Sequence, residues 1–138
     1  MGTRSTIALE FADQSVSQIY CHWDGYLSNN GAILQSNYMD PFKLRELIEL
    51  GDFSSLRDTA EETKEGCYSQ RGEDCPARRY MNVDEYFAEC QQEEYDYILR
   101  PVNGVAVWFV RCYATDGKWV TMAEAHELEQ RMEEEGAW

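Results

Sequence analysis

A chain of 138 residues, 43% hydrophobic and 13% aromatic, is long enough for one domain with its own core and too apolar for disorder. Its 26 Asp and Glu outnumber 12 Lys and Arg, giving a formal charge of -14 that opposes binding to nucleic acid or anionic membranes and favours a basic partner. No apolar run approaches the roughly 18 residues of a membrane span, and the opening MGTRSTIALEF lacks the apolar core of a signal peptide.

In chain order, residues 3–11 predict a strand, with Ile7, Leu9 and Phe11 alternating against Thr6, Ala8 and Glu10. ADQS is a turn, and residues 16–23 predict a second strand in a hairpin with the first. Asp24-Gly25 ends it, LSNNG is loop, and residues 32–39 predict a short helix. Asp40 has the chemistry of an N-cap with Pro41 at the first helical position; Leu44, Leu47 and Ile48 then give the next helix one apolar face, which Gly51 ends. A short extended piece at 53–56 precedes residues 59–79, TAEETKEGCYSQRGEDCPARR, which are polar and aperiodic and predict a long, mobile, irregular loop.

Asn82 and Glu85 form an Asn-x-x-Glu variant of the capping box. The helix it opens carries Val83, Tyr86, Phe87 and Cys90 on one face. Residues 95–100 and 105–114 predict strands joined through Asn103-Gly104. Thr121 with Glu124 caps the last helix, whose inner side takes Met122, Ala125, Leu128 or Glu129, and Met132. The order ββαα-loop-αββα lacks βαβ alternation. It predicts a single α+β domain over residues 1–138, with an antiparallel sheet of about four strands packed by helices.

The chemistry-bearing stretch is YCHWDGY, residues 20–26. Cys21 and His22 are adjacent on a strand and point to opposite faces, so they cannot act as nucleophile and base. His22 and Asp24 share a face and have the chemistry of an orienting pair, but Ser5, Thr6 and Ser28 as nucleophiles carry no motif. The residues predict architecture with an aromatic outer side, in which Tyr20, His22 and Tyr26 suit an interface. Cys21, Cys67, Cys75, Cys90 and Cys112 are odd in number and contain no CxxC, which predicts free thiols in a reducing cytoplasm, no metal and no cofactor.

The acids are unevenly placed. Residues 82–138 hold 13 acids and 4 bases, against 13 and 8 in residues 1–81. Asp84, Glu85, Glu89, Glu93 and Glu94 lie on or just past one helix, and Glu124, Glu127, Glu133 and Glu134 lie on another. Carboxylates at the end of the last helix oppose its dipole, so helix stability does not account for them. An array of this kind on rigid helices imitates the field of nucleic-acid phosphates.

The segments MGTRSTI, VSQIYCHWDGYLSNNG, DPFKLRELIELGDFSSL, EEYDYILR and YATDGKW resemble a group of small, mostly uncharacterised phage and prophage proteins that open Met-Gly-Thr-Arg and carry Tyr-Cys-His-Trp-Asp-Gly-Tyr. The similarity covers roughly residues 1–57 and 93–119. It implies a phage gene acting in the cytoplasm of an infected bacterium, and it carries over no catalytic residues. With the charge, it gives the expectation of a non-enzymatic, anti-CRISPR-like inhibitor that sets a DNA-mimicking surface against a basic, nucleic-acid-binding host defence protein. A modulator of host transcription or replication, or a small enzyme using His22 and Asp24, is the alternative.

Overall fold

The computed structural model describes residues 2–136. Strands β1 (Ser5–Glu10) and β2 (Val16–Cys21) form the first hairpin. A π-turn at Leu27–Gly31 leads into helix α1 (Ala32–Asn37), and α2 (Pro41–Glu49) follows with the Asp40 carboxylate accepting from the Phe42 N–H at 2.9 Å. Next come α3 (Ala60–Thr63), β3 (Arg78–Tyr80), α4 (Val83–Glu89), the hairpin β4 (Tyr95–Val102) with β5 (Val105–Cys112), β6 (Val120–Thr121) and α5 (Met122–Glu134). Asn103 and Gly104 both have positive φ, the conformation that a two-residue hairpin turn with the twist of its strands requires.

The protein is α+β with one open sheet, but the sheet has six strands in the order β3-β2-β1-β4-β5-β6 and is mixed, not a four-stranded antiparallel one. The two hairpins join through their first strands, and β1 runs parallel to β4 with Thr6 beside Asp96 and Ala8 beside Ile98. Local alternation defines each hairpin but carries no information about which strands meet, or in which direction.

Both faces of the sheet centre are covered. Ile7, Leu9, Ile19, Tyr97, Leu99, Trp108 and Val110 point to the larger core, closed by Leu34 of α1, Leu44, Leu47 and Ile48 of α2, and Met122 and Ala125 of α5. Ala8, Val16 and Ile98 point the other way, beneath Tyr86 of α4. The Tyr86 ring contacts Tyr80, Phe87 and Trp119 at centroid distances of 5.4, 5.7 and 5.8 Å.

A charged group lies within this second face. The Asp96 carboxylate is wholly buried, and accepts from the Thr6 hydroxyl at 2.6 Å, the Glu93 N–H at 3.1 Å and Arg111 Nη2 at 3.1 Å. Burial pushes its pKa up, against the pull of those donors. Gln18, also fully buried, donates to Thr6 Oγ1 and the Gln91 carbonyl and accepts from the Tyr80 hydroxyl and the Gln91 N–H.

Residues 59–79 are not the structureless loop their composition predicts. They contain α3, two 3-10 turns at Lys64–Gly66 and Tyr68–Arg71, and β3, and they close one edge of the sheet. β3 pairs with Val16, Ser17 and Gln18. Farther along β2, Phe53 donates to the Tyr20 carbonyl and its own carbonyl accepts from the His22 N–H, while the Ser54 N–H bonds the Gly66 carbonyl. At the junction Asp52 accepts from the Tyr20 N–H at 2.8 Å and from both terminal nitrogens of Arg78. Thr63 and Cys67 are buried as a result. Polar composition misleads here because the segment satisfies a strand edge with backbone groups rather than filling a core with side chains.

Two outcomes follow. Asp96→Ala leaves the largely covered Arg111 guanidinium without its carboxylate, and urea denaturation is expected to give a loss of about 3 kcal/mol. Limited trypsin digestion is expected to cut first at Arg71, within the exposed residues 69–74, while Arg78 and Arg79 in the paired β3 are cut later; early cleavage at Arg78 would contradict the edge pairing.

Candidate functional site

The segment 20–26 is built around close backbone approaches. A Cβ on Gly25 would lie 2.7 Å from Ser5 Cβ, and one on Gly2 would lie 2.7 Å from the Trp23 ring. Each glycine lets the chain before β1 pack against the end of β2. Buried Asn30 donates to Ser5 Oγ at 3.1 Å and to Cys21 Sγ at 3.4 Å, and the Tyr97 hydroxyl donates to the Gly25 carbonyl at 2.6 Å. Desolvation holds the Cys21 thiol above its ordinary pKa, the opposite of what a nucleophile needs.

His22 does not pair with Asp24. Its Nδ1 lies 2.8 Å from the Tyr20 hydroxyl, its ring stands edge-on to Trp23 at 4.6 Å, and Asp24 takes a left-handed turn with φ 57° beyond the strand. Tyr20, His22 and half-exposed Trp23 form one aromatic group, and Tyr26, exposed on the following turn, makes no ring contact with them.

The two acidic helices lie on opposite faces of the sheet, α4 over Ile98 and α5 over the larger core, so their carboxylates do not form one array. On α4, Asp84 and Glu89 are exposed, but Glu85 is structural: its carboxylate accepts from the Met81 N–H at 2.8 Å while its own N–H donates to the Asn82 side chain at 2.9 Å. Glu93 accepts from the Gln91 amide, and Glu94 accepts from the Arg4 N–H. On α5, Glu124, Glu127, Glu133 and Glu134 are exposed. Glu124, Glu127 and Glu134, with Arg131 among them, fall on the side opposite buried Met122 and Ala125. Glu129 turns inward to accept from the Tyr95 hydroxyl, and burial pushes its pKa up. Among the described residues, none of these nine predicted acids is in an ion pair. The ion pairs among the described residues are Arg45–Glu49, Arg71–Glu73, Arg78–Asp52, Arg100–Glu10 and Arg111–Asp96.

The Asp96–Arg111 pair was the least visible feature in the sequence. Its trace was a charge at the second position of β4 and another near the end of β5, which the register places opposite each other. The five cysteines are free, and among the described residues no group of His, Cys, Asp and Glu is placed to hold a metal ion. No helix among the described residues is long and apolar enough to cross a membrane. The fold is that of an open mixed-sheet α+β protein, and the exposed acids of α5 that face away from the core are in no ion pair among the described residues. No family model matches the sequence, and no curated protein or solved structure shows significant similarity to it.

Reversal of charge on α4 is therefore not neutral to the fold, as exposure alone would suggest. Glu85→Lys removes a capping carboxylate and sets a cation at a helix N-terminus, and is expected to cost about 1 kcal/mol in denaturant unfolding. Glu89→Lys, at the last residue of the same helix, is expected to be neutral or slightly stabilising.

Proposed function

We propose that this is a binding protein that docks the exposed carboxylates of α5 onto a basic, nucleic-acid-binding surface, as a phage-encoded inhibitor of a host defence protein in the bacterial cytoplasm. The observation that carries this reading is that Glu124, Glu127 and Glu134 are exposed on one side of the longest helix with no cation paired to any of them. Glu134 at the C-terminal end opposes the helix dipole, and the mutual repulsion of the stripe is relieved when arginine or lysine side chains of a partner replace solvent. With α4 on the far side of the sheet, the mimicry narrows to one helix, and Asp84 and Glu89 stand outside the contact. The phage setting rests on the resemblance of the MGTR and YCHWDGY segments.

The test is capture from bacterial lysate at low and high salt, followed by affinity measurement on the main prey. The triple reversal Glu124→Lys, Glu127→Lys and Glu134→Lys is expected to weaken binding by about tenfold or more and to flatten its salt dependence. Asp84→Lys with Glu89→Lys should bind as the parent does. The partner's nucleic acid should compete with the protein. A CRISPR effector as prey supports the defence reading, and RNA polymerase or gyrase selects the transcription or replication alternative. A stable ternary complex with nucleic acid, or undiminished binding by the triple variant, removes phosphate mimicry altogether.

A further inference from the structure

At the end of the sheet where β1 and β2 turn, the C-terminal half of α2, the β1–β2 turn and residues 74–79 enclose a cleft of about 760 Å³. Its far wall is fixed. The Asp52 N–H donates to the Cys75 carbonyl at 2.9 Å, and Gly51, at φ 76°, admits that carbonyl where any Cβ would collide with it. The size is within the range of pockets that enclose small organic ligands.

The lining is specific. Phe11 presents a half-exposed ring, and the guanidinium carbons of Arg45 and Arg79 lie 5.9 and 5.8 Å from its centroid. The register pairs Ser17 with Arg79, so both point to the same side of the sheet. Arg79 donates one bond, to Ser15 Oγ at 3.3 Å, and forms no ion pair; a guanidinium has five N–H donors. Ser17 is only 3% exposed and lines the cleft, and its hydroxyl, bonded to no described residue, is not among the buried unpartnered atoms and so opens on the cleft's solvent. A hydroxyl that meets only solvent, beside guanidinium N–H groups with no protein acceptor, can donate to an anion that enters the cleft.

Three carboxylates border the same cleft. Asp13 is satisfied by the Ser15 N–H and hydroxyl, at 3.0 and 2.6 Å, which hold its pKa below the ordinary value, and Glu49 bonds Arg45 Nε at 3.2 Å. Asp74 alone carries no bond to the protein and stands exposed on the rim. The cleft is thus polarised, with donors on its Phe11 side and one open acceptor opposite.

We propose that this cleft binds an aromatic anion of mononucleotide size. The phosphate takes the free N–H groups of Arg79 and Arg45 and the Ser17 hydroxyl, the flat base lies against Phe11, and Asp74 accepts from an amino or imino N–H on the base edge. A guanidinium suits the tetrahedral anion because it offers parallel donors, and it stacks on an aromatic ring without losing them. The site is separate from α5 and independent of the docking reading.

Calorimetric titration of the full chain with the four ribonucleoside 5′-monophosphates, orthophosphate and adenosine tests this. At least one nucleotide is expected to bind saturably, with amide shifts in NMR spectra at Ser15, Ser17 and Arg79. Arg79→Ala and Ser17→Ala are each expected to weaken that nucleotide by about tenfold. Ser17→Ala removes no bond within the protein and serves where another variant disturbs the fold. The α5 triple reversal should bind the nucleotide unchanged, which separates this result from that of the docking test. Absence of saturable binding by all four nucleotides, orthophosphate binding as tightly as any of them, or undiminished binding by Arg79→Ala overturns the proposal.

Discussion

The buried carboxylate of Asp96 sets the terms for the rest of the molecule. A charge with no solvent access must collect donors from the protein, and these come from Thr6 on β1, Arg111 on β5 and the backbone ahead of β4. Because Thr6 and Asp96 are partners across the parallel pair, the network locks the register of the strand pairing that joins the two hairpins. The apolar pattern does this less well. Ile7 and Leu9 on β1, and Tyr97 and Leu99 on β4, still point inward after a slip of two residues. That slip parts Thr6 from Asp96 and Gln18 from Gln91, so the buried carboxylate and the buried amide each lose partners. A slip of one drives the carboxylate into the larger core. Specificity of pairing is the role that fits a buried ion pair best, since its contribution to stability is largely offset by desolvation.

The parts of the fold legible in the sequence are those set by short-range chemistry. Asp40, Asn82 and Thr121 each cap the helix expected of them, and Asn103-Gly104 makes the expected turn. What was not legible depends on packing between distant segments. The alternation of β1 marked Thr6 and Ala8 as an outer face, and both are fully buried, because alternation separates two sides without telling water from a second covering helix. Residues 59–79 read as loop for the same reason: their role is to supply backbone partners to β2, which side-chain pattern does not record. At the candidate site the exposure of the α5 acids was readable from their spacing against Met122 and Ala125. Their separation from the α4 acids by the thickness of the sheet was not.

The basic residues explain why so acidic a chain presents its carboxylates unopposed. Several of its few cations are turned to structural use. Arg111 lies 4.7 Å from the Trp119 ring while it holds Asp96, and Arg100 pairs with Glu10 and lies 5.3 Å from Phe87 and 5.8 Å from Phe109. These guanidiniums line the second face, where planar cations on aromatic rings cover apolar surface that one short helix leaves open. Arg78 is committed to Asp52 at the sheet edge. Positive charge is thereby drawn into the framework, and the outer side of α5 is left with Arg131 as its single cation.

The parallel pairing then gives the molecule two chemically distinct ends. Because β1 and β4 point the same way, Tyr95 and the Glu129 that bonds it lie at the start of both strands, while Phe11 lies past their finish. The acidic C-terminal half of α5 stands at the first end. Arg45 and Arg79, two guanidiniums not drawn into the sheet's own ion pairs, gather on Phe11 at the other. Like-charge repulsion alone does not place them there, since Asp13, Glu49 and Asp74 are near; the Ser17–Arg79 register and the ring do. The basic partner proposed for α5 and the anionic ligand proposed at Phe11 thus call on separate parts of the fold. Any coupling between them would have to pass through the packed centre, where the Asp96 register leaves little freedom to move.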